Sequence, residues 1–240
     1  MSPKLSVNIN KFATLRNARG GNNPNICEVA KDCQSFGAEG ITVHPRPDAR
    51  HIRYQDVFEL QEIVTTEFNI EGYPDANFLQ LVETIQPTQV TLVPDPPGVL
   101  TSNTGWDVKK HQVFLSEIVA RLHAKNIRVS TFLDPNPALV EHAKRCGTDR
   151  IELYTENYAT GFKSDAKKAI LPYIQTAKLA KQMGLGINAG HDLDLENLQY
   201  FANHIPSLLE VSIGHALVCD ALYFGLQNTV QMYRSKLQLR

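Results

Sequence analysis

A single-domain (β/α)8 barrel with additional helices, running over residues 1–240, is the fold class that the sequence predicts. Three observations carry it. Eight short runs rich in β-branched residues alternate with longer stretches of helical period, the arrangement of a parallel sheet with crossover helices. The 240 residues come close to the ~250 that one such barrel needs. Finally, no G-x-G-x-x-G follows the first run, so the fingerprint of a dinucleotide-binding open sheet is missing. No low-complexity linker or shift of composition divides the chain.

The strand runs are 5–9, 40–44, 68–71, 89–93, 127–133, 150–154, 186–189 and 209–213. Several are apolar without alternation, which suits strands buried on both faces. Between them, Phe114, Leu115, Ile118, Val119 and Leu122 form one helical stripe. Asp75 is placed to cap the helix that carries Phe78, Leu79 and Val82. Asn136 caps another, with Pro137 at its first position. Gly37, Gly147 and Gly184 each close a helix just before a strand. A last helix is expected over 217–226. The stretches 12–39, 95–126 and 155–185 are long enough to hold extra helices.

Composition excludes several roles. Hydrophobic residues make up 42% and charged residues 20%, with a net charge of −1, the balance of a globular chain with a sizeable core. There is no basic run to hold nucleic acid. No apolar stretch reaches the ~18 residues that suggest a membrane span, and the N-terminus lacks a signal-peptide pattern. A cytoplasmic location is expected. Cys27, Cys33, Cys146 and Cys219 lack CxxC spacing and read as reduced thiols.

In such a barrel the chemistry sits at the C-terminal ends of the strands. Reading those ends in order gives Asn8, Asn10 and Lys11 after the first strand, then His44, Arg46, Arg50 and His51 after the second. Glu71 ends the third, Asp134 follows the fifth, and Glu152 lies in the sixth. Asn188 and His191 close the seventh, and Gly214 and His215 the eighth. Any one of these could be a hydrogen-bonded structural group. Several imidazoles and carboxylates converging on one rim point instead to an active site.

The cations narrow the ligand. Arg19, expected in the loop after the first strand, and Arg46 offer forked donors that match phosphate or carboxylate. Gly214 and His215 open the last helix, whose free N–H groups would hold an anion. Other chemistries find less support. His44, Glu71, His191 and His215 have no H-x-H or H-E-x-x-H spacing for a metal. Lys11 is the one lysine near a strand end where a Schiff base could form. G-x-S-x-G is absent.

These residues resemble one family. The segments VNINKFATLRNARG (7–20), GITVHPRPDARHI (40–52), NIE (69–71), NAGH (188–191) and SIGHA (212–216) are similar to those of the pyridoxine 5'-phosphate synthase family, in order along nearly the whole chain. The resemblance implies a barrel that assembles as a homo-octamer and works without a cofactor; the lack of ligand spacing leads to the expectation that no metal is needed either. It would condense 1-deoxy-D-xylulose 5-phosphate with 3-amino-2-oxopropyl phosphate, giving pyridoxine 5'-phosphate, phosphate and water. It implies His44 and Glu71 as general bases and His191 as general acid. Asn8, Arg19, Gly214 and His215 would hold the amino-ketone phosphate, and Arg46, His51 and Thr101 the deoxyxylulose phosphate. Thr101 falls in segment 94–104, which resembles the family's lid.

Two departures stand out. Asn10 and Lys11 replace an Asp-His pair common in the family, and are expected to take its place beside the phosphosugar. Asp192 stands where a glycine is common, and its carboxylate has to point away from a bound phosphate. Two other readings remain open on the residues: a phosphosugar aldolase or isomerase, and a non-catalytic phosphosugar sensor.

Overall fold

The computed structural model describes residues 2–95 and 104–238. Its eight strands are β1 (Lys4–Asn8), β2 (Gly40–Val43), β3 (Glu67–Gly72), β4 (Gln89–Leu92), β5 (Arg128–Leu133), β6 (Arg150–Tyr154), β7 (Gly186–Gly190) and β8 (Leu208–Ile213). Each pairs in parallel with the next, and β8 pairs with β1, which closes the barrel. Every strand run read from sequence is a strand, with each end displaced by no more than one residue.

The helices, among the described residues, are α1 (Asn10–Arg19), α2 (Ile26–Ser35), α3 (Tyr54–Gln61), α4 (Ala76–Ile85), α5 (Gln112–His123), α6 (Pro137–Arg145), α7 (Glu156–Gln182), α8 (Leu198–His204), α9 (His215–Phe224) and α10 (Leu226–Leu237). Asp75 accepts from Phe78 N–H and Asn136 from Ala138 N–H, as their cap positions predict. Gly37, Gly147 and Gly184 all take positive φ immediately after their helices. The stripe on α5 buries Leu115, Ile118, Val119 and Leu122.

Extra helices occupy two of the three long stretches. Residues 12–39 hold α1 and α2, and α7 is two helices joined at Asp165, whose φ of −156° and ψ of 87° break the helical path. The stretch 95–126 carries α5 alone among its described residues. The expected helix over 217–226 is corrected: α9 begins at His215 and stops at Phe224, and Gly225 (φ 76°) turns the chain into α10. Tyr233 donates to Asp220 Oδ2 at 2.7 Å, tying α10 back to α9.

The strands are buried on both faces, but the two faces differ. Leu5, Val7, Ile41, Val43, Ile70, Val90, Leu92, Ile151, Leu153, Val211 and Ile213 belong to the apolar core. The intervening positions fill the lumen with polar groups. Ser6 and Thr42 hydroxyls lie 2.7 Å apart, Asn69 donates to Thr42, and Thr91 donates to Asn69 at 3.0 Å and to Glu152 at 3.3 Å. The last of these crosses from β4 to β6, strands that are not neighbours. At the N-terminal end Glu67 accepts from Lys4 at 2.6 Å and Arg128 at 2.7 Å. Such a lumen is stable because most of its groups find partners, although Ser130 Oγ and Ser212 Oγ have no hydrogen bond among the described residues. It also leaves the barrel mouth polar, where the inward position of each strand end faces a shared space.

Candidate active site

That shared space is a cavity of about 710 Å³ at the C-terminal ends of the strands. A smaller one of about 300 Å³ adjoins it and shares His44, Arg46 and Arg50. The larger volume falls in the range of small-molecule sites.

One wall carries proton chemistry. His44, directly after β2, and Glu71, near the end of β3, approach to 4.0 Å between Nδ1 and Oε2. Asn8 of β1 donates to the same Glu71 oxygen at 3.5 Å. Burial raises the Glu71 carboxyl well above the usual range, and the charge of Glu152 adds to the rise. His44 is held well below the usual imidazole range, first by burial and then by the Arg46 cation. Burial also lifts Glu152 to about 7, against the opposing effects of its Thr91 hydrogen bond and of His191. Penalising the charged form moves the two carboxyls towards the range in which protons exchange near neutral pH, while it moves the His44 imidazole away from that range.

Opposite them, His191 follows β7 with a left-handed backbone (φ 77°), and Asp192 shares that region (φ 30°). His191 Nδ1 and Asp192 Oδ2 are 2.5 Å apart. The Tyr154 ring meets the His191 ring edge-on at 5.1 Å. Val93, Phe132 and Tyr154 form an apolar cluster beside these groups, which lowers the local dielectric.

The anion-binding features lie around the rim. Arg46 is buried and donates to Asp95 Oδ2 at 2.9 Å. His51 is buried next to it, with Nδ1 lacking a hydrogen-bond partner among the described residues. Burial and then the cations Arg46, Lys11 and Arg50 depress His51 to about 4. A buried donor or acceptor without a partner is costly, and a ligand oxygen would satisfy it. At the β8–α9 junction, a Cβ on Gly214 would come within 3.2 Å of Asn8. Glycine lets the start of α9 approach β1 closely, with the first N–H groups of the helix open to the cavity. Asp56 of α3 anchors α1 through Arg16 with bonds of 2.6 and 2.8 Å.

Asn8, Asn10, Lys11, His44, Arg46, His51, Glu71, His191, Gly214 and His215, all named from sequence, line the larger of these two cavities. Asn10 has a further role, since its Oδ1 accepts the His44 backbone N–H at 2.9 Å and so joins the ends of β1 and β2. Arg19 departs from expectation. It sits exposed on the last turn of α1 and not in a loop, because the chain after β1 turns at once into a helix; it does not line the cavity. Thr101 lies outside the described residues, as does most of 94–104. Asp192 bonds to the neighbouring imidazole and lines the same cavity as Gly214 and His215.

Sequence reasoning placed Glu152 on the rim without giving it a role, and passed over Tyr154 and Asp95 as site residues. A carboxylate inside the apolar run 150–154 was the signal for Glu152. Asp95 carries no local signal, since its importance comes from Arg46, 49 residues earlier in the chain. Among the described residues, no three His, Cys, Asp or Glu side chains converge to hold a metal ion.

The chain resembles known proteins along nearly its full length. The family model described as "Pyridoxal phosphate biosynthesis protein PdxJ" matches residues 5–239. A pyridoxine 5'-phosphate synthase of Cytophaga hutchinsonii is 63% identical over 235 residues, covering 98% of this chain and 99% of its own. One from Parabacteroides distasonis is 60% identical, with 96% and 97% covered. Among solved structures, a 3-keto-L-gulonate-6-phosphate decarboxylase of Vibrio cholerae superposes with a TM-score of 0.68 at 10% identity, covering 99% and 98%. That last likeness shows the barrel fold alone.

Proposed function

The chain belongs to the PdxJ family of pyridoxal phosphate biosynthesis proteins, and from that premise we propose how its cavity performs the pyridoxine 5'-phosphate synthase reaction. The enzyme condenses 1-deoxy-D-xylulose 5-phosphate with 3-amino-2-oxopropyl phosphate, giving pyridoxine 5'-phosphate, phosphate and water. The observation that carries the assignment of roles is the placement of His44, Glu71 and His191 on one cavity bordered by Arg46, Lys11 and the start of α9.

Both substrates bring a phosphate. The α9 N–H groups at Gly214 and His215, with Asn8 beside them, hold that of the amino-ketone. Arg46, His51 and Lys11 hold that of the deoxyxylulose, with Thr101 assigned to it by family resemblance. Asn10 acts by fixing the His44 backbone. Arg19 is kept as a contact at the edge of the amino-ketone phosphate by the same resemblance.

Ring formation requires repeated proton movement. The substrate amine attacks the partner's ketone and loses a proton. The carbinolamine loses water, an enamine forms by loss of a carbon-bound proton, and ring closure is followed by further loss of water and phosphate. Glu71 and His44 accept protons on one side, and His191 delivers them to departing oxygens on the other. Glu152, lifted to about 7, is placed to relay a proton between Glu71 and His191. The apolar wall of Val93, Phe132 and Tyr154 limits water, which would hydrolyse imine intermediates.

An aldolase-type Schiff base is disfavoured by the exposure of Lys11 at the rim, since a Schiff-base lysine needs apolar surroundings. A cytoplasmic homo-octamer accompanies the family resemblance. Exposed Leu222, Tyr223 and Phe224 on α9 support a subunit contact there, and no helix among the described residues is long and apolar enough to cross a membrane. Mass measurement in solution tests the assembly. The reaction is tested by supplying both substrates and following pyridine absorbance together with phosphate release. Equimolar appearance of the two is expected, and phosphosugar binding without either product would overturn the assignment.

A further inference from the structure

The turn after β7 holds two consecutive non-glycine residues in left-handed conformations, His191 (φ 77°) and Asp192 (φ 30°). Such backbone costs energy and persists where surrounding structure enforces it. Here the enforcement is visible. Buried Thr155 donates its hydroxyl to both Gly190 O and His191 O at 2.6 Å. Buried Asn197 donates to Asp192 O at 3.2 Å. Leu193 N–H closes the turn on His191 O. What this bracing achieves is the side-chain pair, with Asp192 Oδ2 at 2.5 Å from His191 Nδ1.

We propose that Asp192 is a positioning residue for His191: its carboxylate accepts the Nδ1 hydrogen and thereby keeps Nε2 as the nitrogen that exchanges protons in the cavity. This rests on the role proposed for His191 above. An ionised carboxylate only accepts, so Nδ1 has to carry a hydrogen, and the neutral ring is left with a basic Nε2. When Nε2 takes up a proton, the carboxylate balances the imidazolium until that proton is delivered. The Asp192 carboxyl is held below its usual range, first by this hydrogen bond, so it is ionised at neutral pH. The groups around the pair are Tyr154 and Glu152 of β6, Glu156 of α7, which accepts from the Tyr154 hydroxyl, and His215 of α9. Tyr154 meets His191 ring to ring at 5.1 Å, and Asp192 is a carboxylate bonded to Nδ1.

Asp192→Asn separates orientation from shape. Asparagine tolerates left-handed backbone, yet its amide can turn either an acceptor or a donor towards Nδ1, so it no longer dictates the tautomer. Asp192→Gly keeps the backbone at least as easily and removes the partner. Both variants are expected to lower kcat about 10- to 100-fold, part of the ~10²–10⁴ that general acid–base catalysis contributes, while both KM values move less than about twofold. In ¹⁵N-labelled protein the His191 ring is expected to carry its hydrogen on Nδ1 in the wild type and to shift towards Nε2–H in Asp192→Asn. An unchanged tautomer in Asp192→Asn, or an unchanged kcat in either variant, overturns the proposal. His191→Asn, measured alongside, separates the two readings: loss of its turnover with no effect at Asp192 defeats only the positioning role, whereas full turnover would remove His191 from the mechanism.

Discussion

Glu71 Oε2 lies 4.0 Å from His44 Nδ1, with both side chains nearly buried at the ends of adjacent strands. Neither is inclined to carry charge: burial lifts the carboxyl and lowers the imidazole. In the free site burial therefore works against charge on both groups. The Arg46 cation is the second cause of the low basicity of His44. A substrate phosphate bound to Arg46 would offset that charge and let His44 accept a proton when the reactant is in place. The geometry couples proton uptake to binding.

The pH dependence of turnover follows from the carboxyl pair. As a base Glu71 works when ionised, so activity should rise with pH through its elevated pKa. Glu152 contributes to that elevation by repulsion, and the two titrate as a pair. Glu152→Gln removes the repulsion, so the ascending limb of the kcat/KM profile should move to lower pH. Glu71→Gln should abolish that limb and cost about 10²–10⁴ in rate. A Glu71→Gln profile with both limbs in place would assign the base elsewhere.

Arg46 uses one end of its guanidinium on Asp95 at 2.9 Å. A lysine keeps the charge but cannot address Asp95 and a phosphate with a planar fork. Arg46→Lys should raise KM for deoxyxylulose phosphate about tenfold, or ~1.4 kcal/mol. The amino-ketone KM should stay within about twofold. Steady-state kinetics with each substrate varied in turn checks this, and equal weakening of both would point to a disturbed cavity.

Lys11 is exposed but lines the same cavity, close enough for its charge to bear on His51. Lys11→Met is expected to raise KM for deoxyxylulose phosphate by roughly tenfold, the loss of one charge-assisted contact. Borohydride should trap no adduct in the wild type. Unchanged kinetics would return Lys11 to a solvent role, and a trapped adduct would revive the aldolase mechanism.

At the other end of the lumen Glu210 is pushed up to about 8, by burial first and then by the neighbouring Glu67 carboxylate. In the unfolded chain a glutamate titrates near ~4.3. Between those values the folded protein holds a proton that the unfolded chain has released, so this group removes stability as pH rises from about 4 to 8. Glu210→Gln carries no charge at any pH. Its melting temperature relative to wild type should therefore climb between pH 5 and pH 9. A difference independent of pH would show that Glu210 is not protonated in the native state.

The barrel was readable because its determinants are local. The eight strand runs, the Asp75 and Asn136 caps and the closing glycines depend on residues within one turn or one strand, and each is found where the sequence puts it. The rim residues were readable for a related reason: in a parallel barrel all strand ends meet at one face, so position along the chain implies position at the mouth. The sequence by itself determined the architecture, the side of the barrel that carries chemistry and most of the residues gathered there.

Tertiary structure decided the rest. Arg16, three residues before Arg19 and of the same type, turns inward to Asp56 while Arg19 stays outside, a choice made by the rotation of α1. Asp95 meets Arg46 across 49 residues, and Glu152 meets Thr91 across 61. Burial, which gives Glu71, Glu152 and His44 their protonation behaviour, is likewise a sum over neighbours from several strands. The polarity of the lumen belongs here too, because an apolar-looking run does not say which of its residues face inward. Electrostatic energies depend on distance and on excluded water, and both exist only once the barrel has closed.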